Sequence, residues 1–386
     1  MTDHRGTITP IPSSDGVPLT SVEIGGFRGV SGLKLSGLER LNFLVGTGNS
    51  GKTSVLEAIA CYSHPLDIRA WLRTARFREA RENRFYPMQA TDVLRWLFPH
   101  DIASNGDERH GDISVTTEGT SPIGSMRASC QPFFGLRAPT MTFDQKAFDE
   151  DFALFDLRGQ LVEDDGWRFR LEASMRNETS AQAIEFVGWS GGSADLPQPT
   201  GPVLNCHLVA PYAHRNQPAQ IRSLTRVTME NEKDAVGQLL NDLDPNIVGV
   251  EMISEGSSGH AQLALRHRQS GIAPLHVFGD GLRRALMIAL AILQCRRGVM
   301  LLDEIEAALH VSAIGKIFPW LENACKEHEV QMIGTTHSLE AIDAVAGSMN
   351  TDGVAAFHID AKRNTAKRYS KDMLRRLVHD RGLDIR

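Results

Sequence analysis

Hydrophobic positions along this chain change their spacing from one region to the next. Apolar and polar residues alternate over 21–27 (Ser-Val-Glu-Ile-Gly-Gly-Phe) and again over 33–35, then crowd together over Leu41-Asn42-Phe43-Leu44-Val45. Alternation marks half-buried strands, and the apolar run marks a strand covered on both faces. A glycine-rich turn follows, and the spacing becomes helical over 52–60. From about residue 275 the two patterns take turns: helix 282–295, strand 299–302, helix 313–326, strand 330–335, helix 339–345. Strands separated by helices predict a parallel sheet with helices on its faces. The intervening stretch, 63–274, has another character. Polar, Gly-rich loops at 103–111, 117–125 and 190–201 separate alternating segments at 112–116, 167–173, 183–187 and 203–209, which predict antiparallel strands. A helix over 235–243 is stopped by Asp244-Pro245, and 261–267 and 272–276 flank Gln269-Ser270-Gly271 as a hairpin. Residues 353–386 suggest two short strands and a basic helix around 372–381. The expected organisation is a lobe at 1–62 and a lobe at 275–386 that fold as one unit, with 63–274 as a β-rich and helical insertion.

Composition narrows the class without naming it. The 386 residues are 41% hydrophobic and 23% charged, as in ordinary globular proteins, and the net charge of −6 argues against a surface that coats nucleic acid throughout. The longest apolar stretch, around Ala285 to Leu293, is far short of the roughly 20 residues that cross a bilayer. The opening Met1-Thr2-Asp3-His4-Arg5 has no apolar leader, and Cys61, Cys130, Cys206, Cys295 and Cys325 form no CxxC pair. A cytoplasmic, reduced protein with no zinc module and no membrane partner is expected.

The chemistry sits in short motifs at the two ends. Gly46-Thr47-Gly48-Asn49-Ser50-Gly51-Lys52-Thr53 fits G-x-x-x-x-G-K-[ST] between a buried strand and a helix, with Ser54 next in the same turn. Glycines there let successive backbone N–H groups face inward around phosphates, and the helix start adds partial positive charge. Lys52 is expected to contact the β- and γ-phosphates of ATP and Thr53 to place its hydroxyl on Mg²⁺. Val299-Met300-Leu301-Leu302 ends in Asp303-Glu304, a hydrophobic strand with two carboxylates, as in a Walker B motif. Asp303 is assigned to the metal and Glu304 to the general base that activates water. Thr335-Thr336-His337-Ser338 follows the next strand, so a parallel sheet puts His337 at the same carboxyl edge, within reach of the γ-phosphate or the attacking water. Phe278-Gly279-Asp280-Gly281-Leu282-Arg283-Arg284 opens an apolar helix just before Walker B. Gly279, Asp280 and Gly281 form either a second anion-binding terminus or a plain turn with Asp280 as the helix cap.

This order of motifs resembles the ABC-type ATPase heads of the SMC and RecF group, and more closely the ATPase domain of the OLD family and its stand-alone relatives. Phe27-Arg28-Gly29, Gly46 to Thr53, Phe278 to Arg284, Leu302-Asp303-Glu304-Ile305-Glu306 with Ala308-Leu309-His310, and Thr335 to Ser338 carry the resemblance. It implies an α/β fold of the P-loop NTPase, ABC/SMC-head type: a mixed sheet with flanking helices and an insertion. It also implies a head-to-tail homodimer or larger homo-oligomer, in which the signature turn of one copy closes on the ATP held by another. Compared with the LSGGQ of transporters, Gly279 stands in the Ser place, Asp280 replaces a Gly and Leu282 replaces Gln. Gln89, Gln131 and Gln145 are candidates for the Q-loop residue. About 40 residues follow the His337 helix, without room for the Toprim nuclease module of OLD nucleases, so any cleavage is expected from a protein effector, a nuclease or toxin encoded nearby.

Two basic segments bear on partners. Arg69, Arg73, Arg76, Arg78, Arg81 and Arg84 crowd one expected helix with Trp71, Phe77 and Phe85 between them, a pattern that fits contact with nucleic acid or, alternatively, a solvated amphipathic face. Lys362, Arg363, Lys367, Arg368, Lys371, Arg375 and Arg376 form the second group. The resulting expectation is an ATPase that dimerises on ATP and controls an effector in bacterial anti-phage defence. The alternative is a RecF/SMC-like DNA-binding ATPase of repair or recombination.

Overall fold

A computed structural model describes residues 16–78, 88–99, 111–137, 162–189, 196–254, 261–348, 353–360 and 362–376. Strands β1 (Ser21–Phe27) and β2 (Val30–Ser36) form an antiparallel hairpin, Val22 opposite Leu35 and Ile24 opposite Leu33. Strand β3 (Leu41–Val45), buried at every position, leaves that hairpin for another sheet and leads to α1 (Lys52–Ser63). Helices α2 (Ile68–Ala75) and α3 (Ala90–Arg95) follow, and Asp67 caps α2 by accepting from the N–H groups of Arg69 and Ala70. Next come β4 (Gly111–Glu118), β5 (Ile123–Arg137), β6 (Val162–Met175) and β7 (Gln182–Trp189), which extend the first hairpin into an antiparallel sheet of order β2-β1-β4-β5-β6-β7.

Strand β8 (Cys206–Val209) enters the central sheet, and α4 (Gln217–Met229), α5 (Lys233–Leu243) and a small sheet of β9 (Ile247–Ser254), β10 (Ala261–His267) and β11 (Gly271–Pro274) lie beyond it. The chain then runs through α6 (Asp280–Gln294), β12 (Val299–Leu302), α7 (Val311–Glu327), β13 (Gln331–Thr335), α8 (Leu339–Ser348), β14 (Val354–Asp360), β15 (Thr365–Ser370) and α9 (Lys371–Arg375). The central sheet has the order β15-β14-β3-β13-β12-β8, parallel from β14 to β8 with β15 antiparallel at the edge. The expected α/β architecture, a mixed sheet with flanking helices, is the one observed.

Strand periodicity divides the core in two. Phe43, Met300, Leu302 and Met332 face α4 to α8 and the small sheet, whereas Leu44, Val299, Leu301 and Ile333 face α1, α2 and the antiparallel sheet. Helix α1 is caught between the central and antiparallel sheets, which is why ten of its residues, Ser54 to Ser63, are buried. The stretch 63–274 supplies strands to all three sheets, β8 to the central one among them.

Several local expectations change. Segment 203–209 is not an antiparallel strand: Cys206–Val209 runs parallel to β12. The supposed loop at 117–125 shrinks to a short turn, because β4 reaches Glu118 and β5 begins at Ile123. Strand β5 escaped notice because Gly124, Pro132 and Gly135 interrupt its pattern, although Met126, Ala128 and Cys130 alternate into the core. Helix α4 was also missed, despite a start signal in Asn216, which caps it, followed by Pro218 in the first turn. The arginine-rich helix ends at Ala75 and continues as a 3₁₀ turn over Arg76–Arg78. Arg81, Arg84, Phe85 and Gln145 lie outside the described residues. Trp71 is 1% exposed and donates Nε1–H to the His64 carbonyl, so it is core, not a platform for bases.

Candidate functional site

Parallel strands β3, β13, β12 and β8 end at one edge, and the sequence motifs follow those ends. After β3, Gly46 takes φ 148°, and a Cβ there would lie 2.8 Å from the Ile359 carbonyl and from Ser50 Oγ. Gly51 at φ 91° starts α1, where a Cβ would strike Val30 at 2.8 Å. Both positions therefore need glycine. Lys52 Nζ donates to the carbonyls of Gly46 and Thr47 at 2.7 and 2.8 Å, and Ser50 Oγ lies 3.3 Å away. Burial lowers the pKa of Lys52, while Asp303, Glu306 and Glu304 pull it back up. Asn49, Ser50, Gly51, Lys52, Thr53 and Ser54 border a cavity of about 310 Å³ that also meets Arg28, Arg78 and Asn364.

Thr53 and Asp303 are 250 positions apart in sequence, yet Thr53 Oγ1 donates to Asp303 Oδ1 at 3.0 Å. The same oxygen accepts from Thr335 Oγ1 at 2.7 Å, and Thr335 Oγ1 in turn accepts from the Glu304 N–H at 2.8 Å. Thr335 thus fixes both Walker B acids. Its signal in the sequence was a hydroxyl at the end of an apolar strand, where burial demands a partner. Glu304 has φ 46°, a left-handed conformation that costs about 1–3 kcal/mol in a non-glycine residue and breaks the strand alternation just where the acids diverge. Asp303 is buried and Glu304 is exposed.

His337 is exposed, and Glu306 Oε1 orients it by accepting from the His337 N–H at 3.0 Å and facing Nδ1 at 3.2 Å. Glu306 belongs to the motif quoted above, but a role for it was not read from the sequence. The signature turn lies elsewhere: Gly279, Asp280 and Gly281 are not among the described residues lining the phosphate-loop cavity. Gly281 instead lies beside the Ala308 carbonyl. Asp280 does not cap α6, whose N-cap is Gly279 without a side-chain bond. Its carboxylate pairs with Arg215 and Arg283, each at 2.8 Å, and the Arg215 hydrogen bond leads the contacts that depress its pKa.

Two further groups escaped the sequence reading. Arg284 on α6 is fully buried, and its guanidinium donates to the carbonyls of Ala210, Pro211, Asp303 and Glu304. Desolvation lowers its pKa to about 10, opposed by Asp303, Glu304 and Glu306. Glu57 on α1 is also fully buried, clasped by Arg78 at 2.9 and 2.7 Å and by Arg28 at 3.2 and 2.8 Å. Arg78 donates to Ser54 Oγ at 2.9 Å as well, so Ser54 is tied to this network. Of the Q-loop candidates, Gln89 precedes α3 and Gln131 lies exposed on β5, and neither is among the residues lining the cavity.

Known proteins align with this arrangement. Residues 219–343 match the family described as "AAA domain, putative AbiEii toxin, Type IV TA system". An ATP/GTP phosphatase of Helicobacter pylori is 23% identical over 346 residues, 84% of this chain and 86% of that protein. An uncharacterized protein of Methanocaldococcus jannaschii is 30% identical over 112 residues, covering 28% of this chain and 98% of the relative. Among solved structures, an SMC head bound to the C-winged helix domain of ScpA overlaps 91% of this chain and 97% of its own, at 13% identity and a TM-score of 0.45. No helix among the described residues is long and apolar enough to cross a membrane. The AAA-domain match over residues 219–343, together with a phosphate loop joined to the Walker B acids through Thr53 and Asp303, gives the chain the motifs of a P-loop ATPase.

Proposed function

We propose that this chain binds and hydrolyses ATP with Mg²⁺, closes head to tail on a second copy, and thereby controls a partner effector in bacterial anti-phage defence. The hydrogen bond between Thr53 Oγ1 and Asp303 Oδ1 carries the reading, because it sets two hard oxygen donors side by side where the phosphate loop meets Walker B. Those two residues would hold Mg²⁺, which when bound neutralises charge on the β- and γ-phosphate oxygens. Lys52 exchanges its loop carbonyls for phosphate oxygens. Glu304, exposed on its left-handed turn, accepts the proton of the attacking water. His337, aimed by Glu306, hydrogen-bonds the γ-phosphate or that water.

Dimerisation is supported by the absence of Gly279, Asp280 and Gly281 from the described lining of the phosphate-loop cavity of their own chain: in this reading a second copy supplies them as the missing wall. The family description, with its toxin–antitoxin term, supports control of an effector. The DNA-binding alternative has less behind it, since Trp71 is buried and Arg78 is occupied by Glu57.

Two variants test the mechanism. Lys52→Ala is expected to weaken ATP binding roughly tenfold to a hundredfold, the worth of a charge-assisted contact. Glu304→Gln should bind ATP normally, hydrolyse it about 10²–10⁴ times more slowly and accumulate as a dimer on sizing columns. Equal loss of binding in both variants would remove the division of roles.

A further inference from the structure

A second cavity, of about 410 Å³, opens beside β8 and is walled by α4 and α6. It is larger than the roughly 310 Å³ space at the phosphate loop and shares no lining residue with it. Arg222 and Arg226 stand one turn apart on α4 and both border it, so the same wall carries both side chains. Among the described residues Arg222 has no ion-pair partner, and Arg226 pairs only with Glu230 on the exposed face of its own helix, at 3.2 Å. No described lining residue is acidic. Gln294 also borders the cavity, while its Nε2 is shut off from solvent and has no hydrogen-bond partner.

The electrostatics agree with the geometry. Burial pushes the His207 imidazole down to about 4, and Arg226, Arg73 and His64 push it in the same direction. Tyr212 and Phe77 also border the cavity, and the Tyr212 hydroxyl donates to the Phe77 carbonyl.

We infer that this cavity binds a phosphorylated ligand the size of a mononucleotide, with its phosphate on Arg222 and Arg226 and its flat ring toward Tyr212 and Phe77. Paired guanidinium groups match phosphate oxygens in charge and planar donor geometry. The site is independent of the phosphate loop. It lies against the segment 210–216, which Arg284 ties to Walker B and which Arg215 ties to the signature turn at Asp280.

Calorimetric titration of the full-length Lys52→Ala chain, with AMP and separately with inorganic phosphate, tests the inference away from the catalytic loop. Saturable AMP binding with a Kd of about 0.1–1 mM is expected, weakened at least tenfold by Arg222→Glu combined with Arg226→Glu. Ala219→Trp, which fills the cavity from α4 without changing charge, should weaken it equally and decides the matter if the double variant does not fold. Arg170→Glu, on the outer face of β6, should leave it unchanged. AMP binding at least tenfold tighter than phosphate supports the nucleotide, and equal affinities would overturn the place given to the ring. No saturation by either probe up to about 10 mM, or binding that survives both cavity variants, overturns the inference.

Discussion

On the phosphate-loop flank of the catalytic edge, a fully buried carboxylate, Glu57, is met by two arginines that themselves reach solvent. On the Walker B flank the buried group is a cation, Arg284, and its hydrogen bonds go to four backbone carbonyls. The first arrangement fixes side chains to one another, tying α1 to the β1–β2 turn through Arg28. The second fixes backbone to backbone: α6, which starts at the signature turn, grips the ends of both β8 and β12. Side-chain pairing tolerates small shifts of its partners, whereas a planar fork among carbonyls does not. The Walker B flank is therefore expected to be the less tolerant of the two to substitution, and Arg284 joins the signature helix to the backbone of Asp303 and Glu304.

Substitution at Arg284 gives the sharpest test. Arg284→Met keeps the bulk but leaves the Asp303 carbonyl buried without its donor, and a loss of roughly 3 kcal/mol in urea unfolding is expected, together with most ATP hydrolysis. Arg284→Lys should recover less than half of that loss, because an ammonium cannot reach carbonyls on both strands at once. A stable, active Arg284→Met would erase the contrast between the flanks. The opposite flank should respond more mildly. Glu57→Ala is expected to cost about 2 kcal/mol, from a cavity and two orphaned arginines, whereas Glu57→Gln should cost less than about 1 kcal/mol. Burial raises the pKa of Glu57 despite Arg28 and Arg78, so a neutral isostere loses little; equal losses in the two variants would mean that the charge itself matters.

Thr335→Val preserves shape and removes only the hydroxyl that joins Asp303 to the Glu304 N–H. A stability loss of about 1 kcal/mol with a several-fold fall in turnover at unchanged ATP affinity is expected. A separate test concerns pH. His207 is held at about 4 when folded, below its ordinary value near 6.5, so the unfolded chain takes up a proton that the folded chain refuses. The contribution of His207 to stability is complete above about pH 6.5 and declines as pH falls toward 4; His207→Gln should reduce that decline in melting experiments between pH 7 and 5.

Much of the catalytic edge was legible because its parts are local. Gly46 to Thr53 declares a phosphate loop through spacing alone, and Val299 to Glu304 declares a strand ending in acids. Strand β3 and strand β12 were bounded correctly at both ends, since a short, fully apolar run leaves few choices. Residues that act through distant backbone left weaker traces. Arg284 reads as one more basic residue in an amphipathic helix until β8 is placed beside β12, and Arg78 reads as part of a basic patch until Glu57 is found beneath it. Trp71 misled for the same reason: an aromatic among arginines resembles a nucleic-acid surface when its burial is unknown.

The amino-acid order by itself indicated the alternation of helices and strands at the two ends of the chain, the glycines that permit the loop, and the residue types that each strand end carries. Those features follow from steric limits and side-chain spacing within a few residues. Only the folded chain decided that Thr53 meets Asp303, that Thr335 holds both acids, that Arg284 is buried among carbonyls, and that Arg222, Arg226 and Gln294 face one cavity. Each of these depends on burial, and burial is a property of the whole packing: a polar group must find a partner once water is excluded, and which partner is at hand is fixed by strands far apart in sequence.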